Sequence, residues 1–550
     1  MKNCSNVTNC IKGLVFSSIT VLIFMFMQNL FAIRSTPVSS YNWGLAGLKE
    51  LDYNSTHILF LGTSHCYCGV SPMELYAEGK IHSYNLASSA QNTPISYYML
   101  MEFLERQTPD VVIMDSNALF VDINYGIGVL RDRIDRVLNE TSFNKNKIKL
   151  CMAYPCDSFQ EKIKRLFCPF WACHSRWNIL SEDNGKTYFP TRGYICLTKH
   201  VETENVTALD IDRDISLLKE RNYVLKELYH GGMHLSSQSY APFLDEIAMS
   251  DWSKKYFERI VEECRKRDIR LVLMKVPTRK LIQFCHSTWC REKSEYVRRL
   301  ADEYGLDFID LVYDFDLGMD WSTDSMDGGC HLNYRGAKKV SRFLADYIKK
   351  HYSLSEKKDN KIEHEYRMWA DAQKIFDLQT ETSIESYAEM LRDFDNAVAF
   401  FSIRDGNLYA PDDRLLAEKS VLKSFGFRSD FSDTDYSDSF IGVLDGGSPV
   451  YECVSNREQD YDYEITKGKA LHITSSGFLT GSDASMPYSM NAKGLNIVVY
   501  DISSGLEIDS LCYTQTEDGS FGIVHNNDII GDLCFEYQAY LGRISGYGIR

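Results

Sequence analysis

The chain has 550 residues, 44% of them hydrophobic and 25% charged, with a formal net charge of −16. That length exceeds one ordinary core and predicts two or three domains, and the composition excludes a disordered or fibrous chain. The acidity, with no Lys/Arg stripe interleaved with aromatics, argues against a nucleic-acid partner.

At the N-terminus, Lys2 and Lys12 precede an uncharged run from Gly13 to Ile33, and Arg34 follows. The run is long enough to cross a hydrocarbon core as a helix. A cleaved signal peptide would have a shorter apolar core and a small-residue exit, which Asn29-Leu30-Phe31-Ala32-Ile33-Arg34 does not offer. The expectation is therefore a cytoplasmic stub and signal anchor over 1–34. The protein would then be a single-pass membrane protein with residues 35–550 extracytoplasmic.

Next comes an alternation of strands and helices. His57–Leu61 reads as a strand, Ser71–Gly79 as a helix, Ile81–Leu86 as a strand and Ser96–Arg106 as a helix. Asp110–Met114 is a nearly all-apolar strand of the kind buried in a parallel sheet. Residues 121–250 break the rhythm with aromatics, cysteines and polar turns, and read as an insertion bordering a site. The alternation resumes with helix Trp252–Lys266, strand Ile269–Lys275, helix Glu292–Tyr304, strand Asp307–Leu311 and helix Tyr334–His351. This pattern predicts a doubly wound parallel-sheet α/β domain over 52–352.

Residues 353–389 are charged and polar and read as a linker with one weakly helical stretch. From 390 to 550, short strands alternate with Gly/Asp/Ser turns: Ala397–Ile403, Phe440–Leu444, Lys469–Ile473, Leu495–Tyr500 and Glu507–Tyr513. They predict a smaller β-rich, sandwich-like domain.

There are 16 cysteines. Cys151, Cys156, Cys168, Cys173, Cys285 and Cys290 are disulfide candidates in an oxidising compartment, with free buried thiols as the alternative. Cys168-x4-Cys173-His174 offers zinc ligands, but its spacing departs from C-x2-C. Cys66, Cys68 and Cys330 flank the blocks described next and read as packing residues, with a modulatory disulfide as the rival.

Three blocks carry the chemistry. Leu61-Gly62-Thr63-Ser64-His65 begins at a strand's carboxyl end, where a glycine lets the backbone turn and present the Ser64 hydroxyl. The bland reading makes Ser64 a helix cap. Asp327-Gly328-Gly329-Cys330-His331-Leu332-Asn333 precedes the last helix of the domain and supplies a base and a carboxylate to orient it. Tyr84-Asn85-Leu86-Ala87-Ser88-Ser89-Ala90-Gln91 and Asp115-Ser116-Asn117 follow two further strands. The N–H of Ala90 and the amide of Asn117 could line an oxyanion hole there, or the polar residues could simply form turns.

This order resembles the SGNH/GDSL hydrolases over 52–352, with the insertion unmatched. Gly62-Thr63-Ser64-His65 and His331-Leu332-Asn333-x-x-Gly336-Ala337 are similar to a membrane-linked branch. That branch includes alginate O-acetyltransferase relatives and D-alanyl lipoteichoic acid transfer proteins. The resemblance implies Ser64 as nucleophile, His331 as general base and Asp327 as its orienting acid, with the N–H groups of Ser64 and Ala90 and the Asn117 amide as oxyanion donors. The Asp-x3-His spacing is one residue longer than usual, so Asp324 is a rival to Asp327. Ala90 replaces the usual glycine, and Asp115-Ser116-Asn117 lacks the flanking one.

In the insertion, Cys173-His174-Ser175-Arg176-Trp177 resembles a His-Ser-Arg-Trp segment of the same branch. There Arg176 and Trp177 would clamp a sugar or phosphate; a buried tryptophan beside a salt-bridged arginine is the plainer reading. His65 is a further candidate for substrate contact. Ser475-Ser476-Gly477, Gly481–Ser485, Lys493–Asp501 and Ile508-Asp509-Ser510 resemble the interleukin-like EMT inducer (ILEI) domain over 395–550, which implies a carbohydrate-binding module.

The expectation is a serine esterase or O-acyltransferase that acts on a cell-surface or exported polysaccharide. It would need no metal or organic cofactor, and a membrane partner could supply the acyl donor. The altered spacing and missing glycine also allow a non-catalytic glycan-binding or assembly scaffold on a degenerate hydrolase fold. Zinc held by Cys168, Cys173 and His174 would make a metal-dependent deacetylase.

Overall fold

The computed structural model describes residues 2–31, 43–124, 133–135, 137–138, 141, 143–154, 158–167, 191–194, 248–279, 291–326, 329–404, 420–429, 439–476, 485–486, 489–502, 505, 507–516 and 519–526. The chain forms two compact units, Met1–Tyr366 and Arg367–Tyr547.

Residues Lys2–Phe31 form a helix, and the side chains described along it, from Ile11 to Met27, mix apolar residues with Lys12, Ser17, Ser18 and Thr20. Among the described residues no helix is long and apolar enough to cross a membrane. This overturns the expected single-pass anchor and the cell-membrane localisation argued from it.

The first unit is built on a five-stranded parallel sheet in the order β2-β1-β3-β4-β5. The strands are β1 (Ile58–Leu61), β2 (Ser83–Asn85), β3 (Val111–Asp115), β4 (Arg270–Lys275) and β5 (Asp307–Asp310). The β1 and β3 side chains are all buried because helices cover both faces. Ile58, Phe60, Val111, Ile113, Val272 and Met274 pack toward the helices Ser64–Gly69, Pro72–Gly79 and Tyr334–His351. Leu59, Leu61, Val112, Met114, Leu271 and Leu273, one residue out of phase, pack toward Thr93–Phe103, Asp251–Lys266 and Arg291–Tyr304. Parallel register brings Phe60 beside Asn85 and Leu61 beside Met114, so the segments leaving β1, β2 and β3 emerge at one edge.

Of the insertion, Thr191–Tyr194 is described beside β2. The Asn85 N–H donates to the Arg192 carbonyl at 2.9 Å. A Cβ on Gly193 would lie 1.8 Å from the Asn85 oxygen, so only glycine fits. Arg192 is fully buried and paired with Asp359 and Glu365, each at 2.6 Å.

The stretch 353–389, read as a linker, carries most of two helices, Ile362–Thr380 and Ile384–Arg392, and the boundary between the units falls inside the first. In the second unit a six-stranded antiparallel sheet runs β13-β12-β11-β6-β7-β8, and β9 and β10 form a separate hairpin. These strands are β6 (Ala397–Arg404), β7 (Ser439–Asp445), β8 (Ser448–Ser455), β9 (Gln459–Thr466), β10 (Lys469–Ser475), β11 (Gly494–Asp501), β12 (Glu507–Gln515) and β13 (Phe521–His525). Val398, Phe400, Ile441, Val443, Leu471, Ile473 and Val498 form one core between sheet and hairpin.

Candidate active site

Gly62 ends β1 so tightly against β3 that a Cβ there would lie 2.3 Å from the Cβ of Asp115. That approach lets the Asp115 carboxylate take both the Thr63 N–H, at 3.2 Å, and the Thr63 hydroxyl, at 2.6 Å. Thr63 takes the position before the short helix Ser64–Gly69, its hydroxyl committed to Asp115, which places Ser64 at the first position of that helix, half-buried above the sheet edge. Asn85, at the end of β2, donates its amide to the carbonyls of Cys66 and Val70 and so fixes the far end of that helix.

His331 reaches the same edge from the other side. Ser325 and Leu332 pair in an isolated antiparallel bridge. The Asn333 N–H donates to the Asp324 carbonyl at 3.1 Å, and the His331 carbonyl accepts from the Met326 N–H and the Ser325 hydroxyl, each at 3.0 Å. Asn333 caps the helix Tyr334–His351 by accepting from the N–H groups of Arg335 and Gly336. A Cβ on Gly336 would lie 2.3 Å from the Asp324 carbonyl oxygen, so this glycine lets the helix start press against Asp324.

The two side chains meet. Ser64 Oγ lies 2.8 Å from His331 Nε2, across 267 residues of sequence. This is the reach a base needs to take a hydroxyl proton. The other expected site residues distribute as follows. His65 is buried and stacks on His331, with ring centroids 4.9 Å apart and planes at 20°. Asn117 sits in the 3-10 turn Ser116–Phe120 after β3, its N–H held by Asp115 at 3.0 Å. Ala90 lies in the loop after β2 at φ +48°, a left-handed conformation that costs an alanine about 1 kcal/mol. The Ser64 N–H, the Ala90 N–H and the Asn117 side-chain amide make no hydrogen bond among the described residues.

Asp324 does not serve the imidazole. Its carboxylate accepts from Lys339 Nζ at 2.6 Å and from the Asp320 N–H at 2.7 Å. Asp327 lies outside the described residues, as do Arg176, Trp177, Cys168, Cys173, His174, Cys285 and Cys290. Cys66, Cys68, Cys151 and Cys330 carry thiols, and no modulatory disulfide links them.

The sequence reading missed one feature of the site. Asp115, Thr63, His65 and Cys330 form a chain behind the serine: Thr63 Oγ1 is 3.2 Å from His65 Nδ1, and His65 Nε2 is 3.8 Å from Cys330 Sγ. Burial pushes the Asp115 carboxyl above its ordinary range, and the Thr63 and Asn117 donors oppose that. No protein-family model and no curated protein matches the chain.

Proposed function

We propose that the protein is a serine-dependent acyl-ester hydrolase or O-acyltransferase of the SGNH type, acting on an acylated polysaccharide. The contact between Ser64 Oγ and His331 Nε2 at 2.8 Å carries this reading. His331 takes the Ser64 proton as the oxygen attacks the acyl carbonyl. The resulting oxyanion is met by the N–H groups of Ser64 and Ala90 and the Asn117 amide, three donors with no other partner among the described residues. The imidazolium returns its proton to the departing sugar oxygen. Water then releases the acyl group from Ser64, or a second sugar hydroxyl accepts it. With Asp324 engaged by Lys339, the role of orienting His331 is assigned to Asp327. The second unit is read as an ILEI-like glycan-binding module, and residues 121–250 as an insertion bordering the site.

The test is hydrolysis of p-nitrophenyl acetate by the full chain beside Ser64→Ala and His331→Ala. Each variant should lose about 10³-fold or more in kcat, with no further loss in the double variant, because the pair acts as a unit. Equal rates in all forms would sink the serine mechanism and return the scaffold reading.

A further inference from the structure

The chain of groups that ends at Cys330 has no part in the acyl transfer outlined above. Its hydrogen bonds favour one tautomer of His65. The Thr63 hydroxyl donates to the Asp115 carboxylate at 2.6 Å, so its oxygen is left to accept from His65 Nδ1–H at 3.2 Å. In that tautomer His65 Nε2 carries a lone pair, 3.8 Å from Cys330 Sγ. The His331 ring stacks on His65. One ligand atom from each of His65, Cys330 and His331 lies within 4.8 Å of the other two.

Two imidazoles and a thiol are the donor set of a borderline-soft ion such as Zn²⁺; Mg²⁺ and Ca²⁺ take oxygen. In a tetrahedral site with Zn–N of about 2.0 Å and Zn–S of about 2.3 Å, nitrogen and sulfur stand roughly 3.5 Å apart. The 3.8 Å between His65 and Cys330 is close to that spacing. A carboxylate acting through a hydroxyl on the far nitrogen of His65 is the outer-shell support that orients a metal-binding imidazole.

We propose that His65, Cys330 and His331 bind Zn²⁺ as an inhibitory site. Binding displaces the Cys330 thiol proton to solvent and forms metal bonds to sulfur and two nitrogens, with no change of oxidation state. The metal takes a lone pair of the imidazole that otherwise serves Ser64, and so silences the base. The inhibition rests on the proposed serine mechanism; the binding does not.

The experiment is titration of the chelator-treated full chain with Co²⁺, then Zn²⁺, in parallel with the esterase assay. Wild type should show a near-ultraviolet thiolate-to-cobalt charge-transfer band, which Zn²⁺ abolishes. Cys330→Ser should lack the band and need at least about 100-fold more Zn²⁺ for half-inhibition, while keeping activity in chelator. Thr63→Val, which removes the outer-shell hydroxyl, should bind about 10–100-fold more weakly. A band undiminished in both Cys330→Ser and His65→Gln would place the metal elsewhere and overturn the proposal, as would no band in folded wild type. A Cys330-dependent band in a chain without esterase activity would overturn the serine mechanism and leave the metal site standing.

Discussion

At the scale of single residues, the site depends on close approaches that leave no room for substitution. Gly62 is the one next to the serine. The atom its Cβ would meet is the Cβ of Asp115, rooted in a buried strand, and neither side can rotate away. Gly62→Ala should cost about 1–3 kcal/mol, as overpacking does, and should displace Thr63 and Ser64 together. A lowered urea midpoint with matching loss of hydrolysis is the expected result; a fully active, equally stable variant would show that the turn has slack. Asn117 poses the opposite case. Its side-chain amide holds nothing together among the described residues. Asn117→Ala should therefore leave the unfolding midpoint nearly unchanged while kcat falls about 10²–10³-fold, the cost of one oxyanion donor. Equal losses in kcat and stability would make it a structural residue.

At the scale of elements, the site was legible where it coincides with punctuation in the chain. Ser64 follows a glycine at a strand end, and His331 precedes a capped helix start; both signals are local. Thr63, His65, Asp115 and Cys330 each stand in or beside the sequence blocks, but their linkage follows from the β1–β3 register and the Ser325–Leu332 bridge, and pairing across such distances leaves no local trace. The core strands of both units were readable from apolar runs. Strand β9 is not legible as one because the alternation Gln459-Asp460-Tyr461-Asp462-Tyr463 places acidic residues on an exposed face and reads as polar. Arg192 was equally silent. Its neighbours Asp359 and Glu365 lie far along the chain, and nothing near Thr191-Arg192-Gly193-Tyr194 indicates burial. Arg192→Ala strands two buried carboxylates without their cation, which costs about 3–5 kcal/mol. A drop of that size in the denaturant-unfolding free energy of the first unit is expected. A change under about 1 kcal/mol would mean that water reaches the carboxylates.

At the scale of the whole molecule, each unit has its own core, so each should carry its own pH dependence. In the second unit, Glu507 lies partly buried on β12. Burial pushes its carboxyl from 4.5 up to about 8, the charge of Asp509 adds to the rise, and Lys469 opposes it. Asp509 itself accepts from the Tyr387 hydroxyl at 2.7 Å and faces His525 Nδ1 at 3.2 Å. The folded unit thus holds a proton that the unfolded chain releases near 4.5. Between that value and about 8 the folded state binds more protons, so its stability falls as pH rises. Glu507→Gln cannot ionise, and its amide keeps the shape of the protonated acid. The variant should match wild type near pH 4.5 and exceed it increasingly up to about pH 8, above which the gap stays constant. Thermal unfolding of the full chain at stepped pH would resolve this in the transition that Glu507→Gln shifts. A wild-type midpoint that rose with pH over the same window would mean that Glu507 is charged in the fold and held by a cation, with Lys469 the first to test.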